Sequence, residues 1–563
     1  MTSHPLKIII IGGVAGGASA AAKARRINEA ADIVMFERGS FVSFANCGLP
    51  YYVGNTIADR HELLLQTPES FWKRFRVKVK ISHDVLSINR SKQHVEVKNL
   101  KTGAISHEPY DKLILAPGAG AIVPPLPGII AKNIFTVKTV PDSDAIKTFM
   151  AEHTPKQAVV VGGGFIGLET AEALINLKLD VTVVEMADQI LLPFDPDMAT
   201  LVSAHLREKG IHIIEGDGIR AFHDRDGIAY EAELQSGLRL SMDLAILSIG
   251  VRPELKLARE AGLHIGDAGG IVVNDHQQTS DPDIYAAGDA VEVRHLVTGK
   301  ATRMPLAGPA NKQGRVAGAN AAGGDLHFPG ALGTAIVETM GIIAAKTGLS
   351  EKDAKTHDYD YFVSVTHPLD HAGYYPGAEQ LHMKLTVEQK TGKLLGAQII
   401  GEHGVDKRID VLATALTAGL TVEDLEQLDL AYAPQFNSAK GPVIMAGFVA
   451  ANTLRGEVQT ITSEELQYKL TNNPDLQLLD VRSPSEFAEQ HLQQARLIPI
   501  DNLREHLHEL DPQTETVVYC RVGLRGYLAV RILLQHGFEH VYNLTGGMLS
   551  YPLLPENTKT QNI

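Results

Sequence analysis

Leu6-Lys7-Ile8-Ile9-Ile10-Ile11-Gly12-Gly13-Val14-Ala15-Gly16-Gly17 is the stretch whose reading decides the fold. Its apolar run has strand length and no polar alternation, as a strand buried on both faces would. It passes directly into glycines and then into an alanine-rich, helical segment through Arg26. Glycines at a strand-to-helix turn let backbone N–H groups approach a pyrophosphate at the helix N-terminus. Gly12 and Gly17 take the outer positions of a G-x-G-x-x-G fingerprint, while Val14 stands at the middle glycine position, followed by Ala15. The next apolar strand, Ile33-Val34-Met35-Phe36, ends in Glu37 with Arg38 beside it, where an acid can bind a ribose hydroxyl.

The same device recurs, and there the fingerprint is complete. Ala158-Val159-Val160-Val161 leads into Gly162-Gly163-Gly164-Phe165-Ile166-Gly167, with glycines at 162, 164 and 167. Val181-Thr182-Val183-Val184 then ends in Glu185. An acid at that position accepts bonds from a 2′-hydroxyl and repels a 2′-phosphate, so NADH is expected, with NADPH the alternative. Two such units predict an α/β protein with two Rossmann-like dinucleotide domains.

The bulk numbers bound the rest. A chain of 563 residues predicts three or four domains. Its 44% hydrophobic and 21% charged content is that of a well-cored globular protein, and the net charge of −14 argues against a general nucleic-acid surface. Two cysteines in this length exclude a disulfide scaffold and fit a reducing compartment. The Ile8–Ile11 run is too short for a signal segment, and no apolar run approaches 18 residues. A cytoplasmic protein with no membrane partner is expected, and no metal site.

Thr279-Ser280-Asp281-Pro282-Asp283-Ile284-Tyr285-Ala286-Ala287-Gly288-Asp289 resembles the second FAD signature of two-dinucleotide-domain flavoprotein reductases. That resemblance implies that Asp289 holds the ribityl chain. Leu113-Ile114-Leu115-Ala116-Pro117-Gly118-Ala119 resembles the linking segment of the same superfamily, and Ser248-Ile249-Gly250-Val251-Arg252-Pro253 its return to the flavin domain. The expected domains are an FAD-binding domain at 1–120 and 245–324, split around an NAD(P)H-binding domain at 121–244. A dimerisation domain at 325–455 and a C-terminal domain at 460–555 follow.

One cysteine lies in Ser43-Phe44-Ala45-Asn46-Cys47-Gly48-Leu49-Pro50-Tyr51-Tyr52. Familiar disulfide reductases pair cysteines across four intervening residues, but here those positions hold Val42 and Tyr52. The Cys47 thiolate is therefore expected to exchange with a sulfur of the substrate, as a mixed disulfide or persulfide. The segment resembles the active segment of coenzyme A-disulfide reductases, over roughly residues 5 to 455. The resemblance implies coenzyme A contacts at Ser19, Lys23, Arg26, Ser43 and Asn46. Lys23, Arg25 and Arg26 also form a cationic helix end able to meet anionic phosphates, with Lys73, Arg74 and Arg76 a second basic cluster. Asn311 stands where some members have a histidine near the substrate. His371-Ala372-Gly373-Tyr374-Tyr375-Pro376-Gly377 and Tyr432-Ala433-Pro434-Gln435-Phe436-Asn437-Ser438-Ala439-Lys440 resemble two segments of the family's dimerisation domain. They imply a homodimer in which Tyr374 and Tyr432 reach the partner's active-site sulfur and Lys440 touches substrate. Tyr375 is a possible substitute for Tyr374.

The second cysteine has another setting. Leu476-Gln477-Leu478-Leu479-Asp480-Val481-Arg482 is an apolar strand ending in Asp-Val-Arg. Val517-Val518-Tyr519-Cys520-Arg521-Val522-Gly523-Leu524-Arg525 puts a cysteine between a strand and a helical pattern. Backbone N–H groups of such a loop, the helix N-terminus and Arg525 favour a thiolate. Together these motifs resemble a rhodanese domain, and the four residues between Cys520 and Arg525 match the small sulfur-transfer loop rather than the larger phosphatase loop. Asp480 and Arg482 read as structural. The chain as a whole resembles coenzyme A-disulfide reductase–rhodanese fusions. That implies a flavin-dependent, NADH-driven reductase of small-molecule sulfur substrates (persulfides, polysulfides, coenzyme A persulfide) whose rhodanese supplies sulfur through Cys520 to Cys47. Plain coenzyme A-disulfide reduction, or NADH oxidase or peroxidase activity, is the alternative.

Overall fold

A computed structural model of the chain describes residues 4–551. The isoleucine run forms the strand Lys7–Ile11 at the centre of a five-stranded parallel sheet. The order is Ile284–Ala286, Lys112–Leu115, Lys7–Ile11, Asp32–Glu37, Val77–Ile81. Ile8 and Ile10 pack with Ala20, Ala21, Ala24 and Ala317 of the helices Ala15–Ile27 and Ala307–Ala321. Ile9 and Ile11 pack on the opposite face with Val85, Val95 and Val97 of a three-stranded antiparallel sheet. Both faces are therefore covered, which is why the run shows no alternation. Ile8, Ile9 and Ile10 have no exposed surface, and each contributes roughly 1.5–3 kcal/mol by burial.

A second parallel sheet repeats the plan: His212–Glu215, Asp180–Glu185, Gln157–Val161, Leu244–Leu247, Ile134–Thr136. Ala119–Ala121 pairs antiparallel with Val251–Pro253. The chain thus leaves the first fold and returns to it through adjacent strands, and the second sheet is an insertion. At the two glycine turns, Gly12 and Gly162 have φ of +92° and +106°. A Cβ on Gly12 would lie 2.0 Å from the Ala116 carbonyl oxygen, so only glycine fits the turn.

Two compact units result, Met1–Asp188 with Gly210–Gly333, and Gln189–Lys209 with Thr334–Ile563. The first holds both parallel sheets. The second contains an antiparallel sheet ordered Ala335–Thr339, Ile342–Gly348, Leu394–Gly401, His382–Glu388, Tyr361–Thr366, backed by the helices Val405–Ala418 and Pro442–Leu454. Lys384 in this sheet is buried and sits 3.3, 2.9 and 2.7 Å from Asp195, Asp197 and Glu351, as a buried ammonium requires. Beyond it lies another parallel sheet: Gln459–Ile461, Val541–Leu544, Thr516–Tyr519, Gln477–Asp480, Arg496–Leu497. The expected class holds: two Rossmann-like sheets, an α+β region and a C-terminal α/β region. Among the described residues no helix is long and apolar enough to cross a membrane.

Candidate functional site

In the first unit a cleft of about 530 Å³ opens at the carboxyl end of the strand Lys7–Ile11. Gly12 to Gly16, Glu37, Arg38, Asn46, Lys138 and Asp289 are among the residues lining it. Glu37 takes N–H bonds from Gly13 at 2.8 Å and Gly39 at 2.7 Å. Glu185 does the same for Gly163 at 2.8 Å and Ala187 at 2.9 Å in the second sheet. At both glycine turns the strand-end acid ties the turn down through backbone N–H groups. Gly164 opens the helix Phe165–Asn176, and a Cβ on Gly167 would lie 1.9 Å from the Gly162 carbonyl oxygen.

These residues fit FAD. The glycine turn from Gly12 to Gly16 lines the cleft, and so does Asp289, with Lys138 3.9 Å away. Burial raises the Asp289 carboxyl above its usual range, and Lys138 opposes the shift. The Asn46 Oδ1 is buried without a hydrogen-bond partner among the described residues, which marks a place for a donor from a bound molecule.

Cys47 lies on the single 3-10 turn Asn46–Gly48 that feeds the short helix Leu49–Val53. It is exposed, and both cysteines are free thiols. Ser43, in the left-handed region at φ +47°, donates its N–H to the Gly13 carbonyl at 2.8 Å and ties this segment to the glycine turn. Tyr51 donates to Glu169 at 3.1 Å, so an acid of the helix Phe165–Asn176 in the inserted domain approaches the thiol. Partial burial of the sulfur pushes the Cys47 thiol up, the Glu169 and Asp289 carboxylates add to that, and Lys138 acts against it. Lys138 and Glu169 were not foreseen, because each comes from the inserted domain and neither stands in a motif.

Ser19, Lys23 and Arg26 share one face of the helix Ala15–Ile27, at i, i+4 and i+7. Ser19 donates to Asn311 at 2.6 Å, which joins Asn311 to this face. Arg26 is exposed and donates to the Ala22 carbonyl of its own helix. Arg25 does not belong with them. It is buried, and its guanidinium donates to the carbonyls of Phe75, Ala31 and Arg76 at 2.8, 2.8 and 3.0 Å. The expectation that it meets phosphates is corrected, because those carbonyls occupy its donors.

In the second unit the Tyr374 and Tyr432 hydroxyls lie 2.9 Å apart on exposed side chains. That hydrogen bond raises the Tyr374 phenol above its usual value. Tyr375 instead packs its ring against His371. Lys440 is exposed beside the turn that Ser438 closes by donating to the Lys440 carbonyl.

Cys520 follows the strand Thr516–Tyr519 and precedes the helix Leu524–Gln535. It has no exposed surface, and the Gly523 N–H donates to its Sγ at 3.1 Å. Arg525 forks onto Glu486 at 2.7 and 2.6 Å. This holds the Glu486 carboxyl down at about 2. Glu486 carried a legible signal that went unused: Ser483-x-x-Glu486 is a capping box, present at the helix Pro484–Glu489. Asp480 and Arg482 are a buried pair, Nη2 to Oδ2 2.7 Å. The Cys520 loop is roofed by Gly547 to Leu549, since Met548 donates to the Cys520 carbonyl at 2.8 Å and Leu549 to the Arg521 carbonyl at 3.1 Å. That roof is anchored to the antiparallel sheet, where Val365 donates to the Thr545 hydroxyl at 2.9 Å and His367 Nε2 meets the Ser550 hydroxyl at 3.0 Å.

Comparison with known proteins agrees with this layout. Residues 6–314 match the family model described as pyridine nucleotide-disulphide oxidoreductase. Residues 337–442 match the dimerisation domain of that family, and 462–551 a rhodanese-like domain. A coenzyme A disulfide reductase of Staphylococcus haemolyticus is 36% identical over 79% of this chain and 99% of its own. An NAD(P)H coenzyme A polysulfide/persulfide reductase of Pyrococcus horikoshii is 36% identical over 78% and 97%. Among solved structures, reduced CoADR-RHD of Bacillus anthracis aligns with a TM-score of 0.95 at 43% identity, over 99% of this chain and all of that one. An NAD-dependent persulfide reductase from A. fulgidus aligns at 0.90 and 39%, over 97% and all.

Proposed function

This chain belongs to the pyridine nucleotide-disulphide oxidoreductases, and from that premise we propose that it uses NADH to reduce persulfides and polysulfides, coenzyme A persulfide among them, to sulfide. Membership brings FAD and a nicotinamide nucleotide as cofactors, and the dimerisation-domain match makes a homodimer the expected assembly. The observation that carries the reading is the exposed thiol next to Asn46, which lines the dinucleotide cleft, paired in one polypeptide with a second, enclosed sulfur loop.

In this reading Cys520 carries a sulfane sulfur as a persulfide, and the coenzyme A thiolate takes that sulfur, leaving the Cys520 thiolate and coenzyme A persulfide. The Cys47 thiolate attacks the inner sulfur, a mixed disulfide forms, and hydrosulfide leaves. Bound FAD supplies the two-electron relay from nicotinamide to that disulfide. The balance is NADH, a proton and a persulfide in; NAD⁺, a thiol and hydrogen sulfide out. Ser19, Lys23, Arg26, Ser43 and Asn46 hold the coenzyme A moiety. Lys440 and the Tyr374–Tyr432 pair of the partner subunit complete the site, a phenol giving the proton to the leaving thiolate. Glu185 selects NADH.

The test is NADH-dependent sulfide release from coenzyme A persulfide by the holoenzyme. Cys47→Ser should lower it by roughly three orders of magnitude with FAD still bound. Full turnover in that variant would sink the mechanism. Faster NADH consumption with coenzyme A disulfide than with the persulfide would shift the assignment to disulfide reduction.

A further inference from the structure

Outside the motifs that the sequence announced, Asp275-His276 and Asp325-Leu326-His327 converge on the surface of the first unit. Asp275, His276 and His327 bring ligand atoms within 4.8 Å of one another. Among the described residues this is the one such group of three or more His, Cys, Asp or Glu side chains. Asp325 adds a carboxylate oxygen 3.4 Å from His276 Nδ1 and 3.6 Å from His327 Nε2. The two imidazole rings stand 4.1 Å apart, tilted by 54°.

We propose that this cluster binds a borderline divalent transition-metal ion of the zinc type, with His276 Nδ1, His327 Nε2 and the Asp325 carboxylate as ligands and water completing the shell. Three features of the geometry carry it. Zinc bonds of about 2.0–2.1 Å in a tetrahedron set neighbouring donors about 3.3–3.4 Å apart, and the separations to Asp325 sit close to that. Asp275 lies 3.0 Å from His327 Nδ1. An ionised carboxylate only accepts, so Nδ1 carries the proton and the Nε2 lone pair is left for an ion, in the manner of a carboxylate–histidine–metal triad. Two imidazoles with a carboxylate suit zinc, cobalt(II), nickel or copper(II) better than calcium or magnesium.

The limbs are already held without the side chains in question. Asn320, buried at 8% exposure, donates to the carbonyls of His276 at 3.0 Å and Leu326 at 2.8 Å and accepts from the Leu326 N–H at 2.8 Å; its Nδ2 also stands 3.4 Å from His276 Nδ1, a contact that an incoming ion replaces. Phe328 donates its N–H to the Asp275 carbonyl at 2.8 Å. Backbone bonds fix the juxtaposition, so the histidines and aspartates are not needed to join the segments. They are left preorganised at the surface, with side chains of Asp275, Asp325 and His327 exposed and His276 half-buried.

The test uses the full-length, FAD-loaded protein with both cysteines changed to serine, so that thiolates do not compete, stripped with chelator and titrated with zinc chloride by calorimetry. One equivalent should bind per chain. His276→Ala and His327→Ala should each weaken it at least about tenfold, and Asp275→Asn should weaken it less. Zinc should raise the melting temperature of the host but not of the His276→Ala/His327→Ala double variant. Absence of zinc binding in the host, or equally tight binding in the double variant, would overturn the proposal.

Discussion

Cys47 and Cys520 occupy opposite kinds of loop. Cys47 has an exposed residue surface on one 3-10 turn, and the partial burial of its thiol, with the carboxylates of Glu169 and Asp289 adding to it, holds its proton on. Cys520 is fully enclosed, with a backbone N–H on its sulfur and a neighbouring arginine tied to Glu486. A thiol that must meet a bulky external disulfide has to be open. A thiol that stores labile sulfur between turnovers is better shielded from other nucleophiles. Accessibility and a hydrogen bond to the sulfur, which are usually looked for together in a reactive cysteine, are here divided between two sites.

The sharpest way to break this comparison is to remove the enclosed sulfur. Cys520→Ser should abolish sulfur transfer from thiosulfate or polysulfide, a loss of roughly a hundredfold or more, while NADH-driven turnover of coenzyme A persulfide stays within about twofold. Equal loss on both substrates would make the C-terminal region structural. Next in size is the Arg525–Glu486 ion pair of that loop. Glu486→Gln keeps the capping-box geometry but removes the charge that Arg525 forks onto, and should cost about 1–2 kcal/mol of stability at neutral pH. Because the Glu486 carboxyl is held down at about 2, its contribution is present above the unfolded value near 4.3 and fades as pH falls toward 2. The variant and parent melting curves should therefore converge in acid. Freed from its partner, Arg525 should also let iodoacetamide reach Cys520 faster than in the parent, as read by peptide mass spectrometry.

Much of this was legible because the causes are local. Ile8 to Ile11 announce a strand covered on both sides, and Gly12 and Gly162 sit where the chain must take positive φ. The lack of a second cysteine near Cys47 is a matter of counting, and Cys520 stands at the strand-to-helix junction that its neighbours predict. What failed was long-range. Arg25 has the composition of a phosphate ligand, yet five backbone carbonyls of neighbouring turns occupy it. Glu169 and Lys138 reach Cys47 only because the inserted domain folds back against it. His367 and Thr545, 178 positions apart in sequence, carry no pattern that says they lie on one seam. The Asp275–His327 cluster likewise joins segments about fifty residues apart.

That seam gives a smaller, pH-dependent effect on the enclosed site. His367 and His382 stack edge to face, 4.8 Å between centroids, and burial holds them down to about 3 and about 4. Both are kept neutral by the fold, so folding disfavours the protonated forms. Stability from this pair is complete above the unfolded value near 6.5 and is lost as pH falls from there toward 3. Since His367 meets Ser550 at the end of the roof over Cys520, mild acid should loosen the Cys520 loop. Rhodanese activity should fall before flavin is released, and His367→Gln should flatten that part of the profile.

The finest adjustment concerns the open thiol. Glu169 adds to the upward push on Cys47, and Lys138 subtracts from it. Removing a nearby negative charge makes the thiolate easier to form, so Glu169→Gln should move the pH midpoint of Cys47 alkylation downward. Lys138→Met should move it upward. Glu169 is itself raised by burial, so the glutamine effect should appear only above the pH at which that carboxyl ionises and vanish below it. Opposite displacements by the two variants, with Cys520 labelling unchanged in both, would show that Cys47 is tuned by charges of the inserted domain. If both variants shifted the midpoint the same way, the charges would have to act through the packing of the short helix Leu49–Val53 instead.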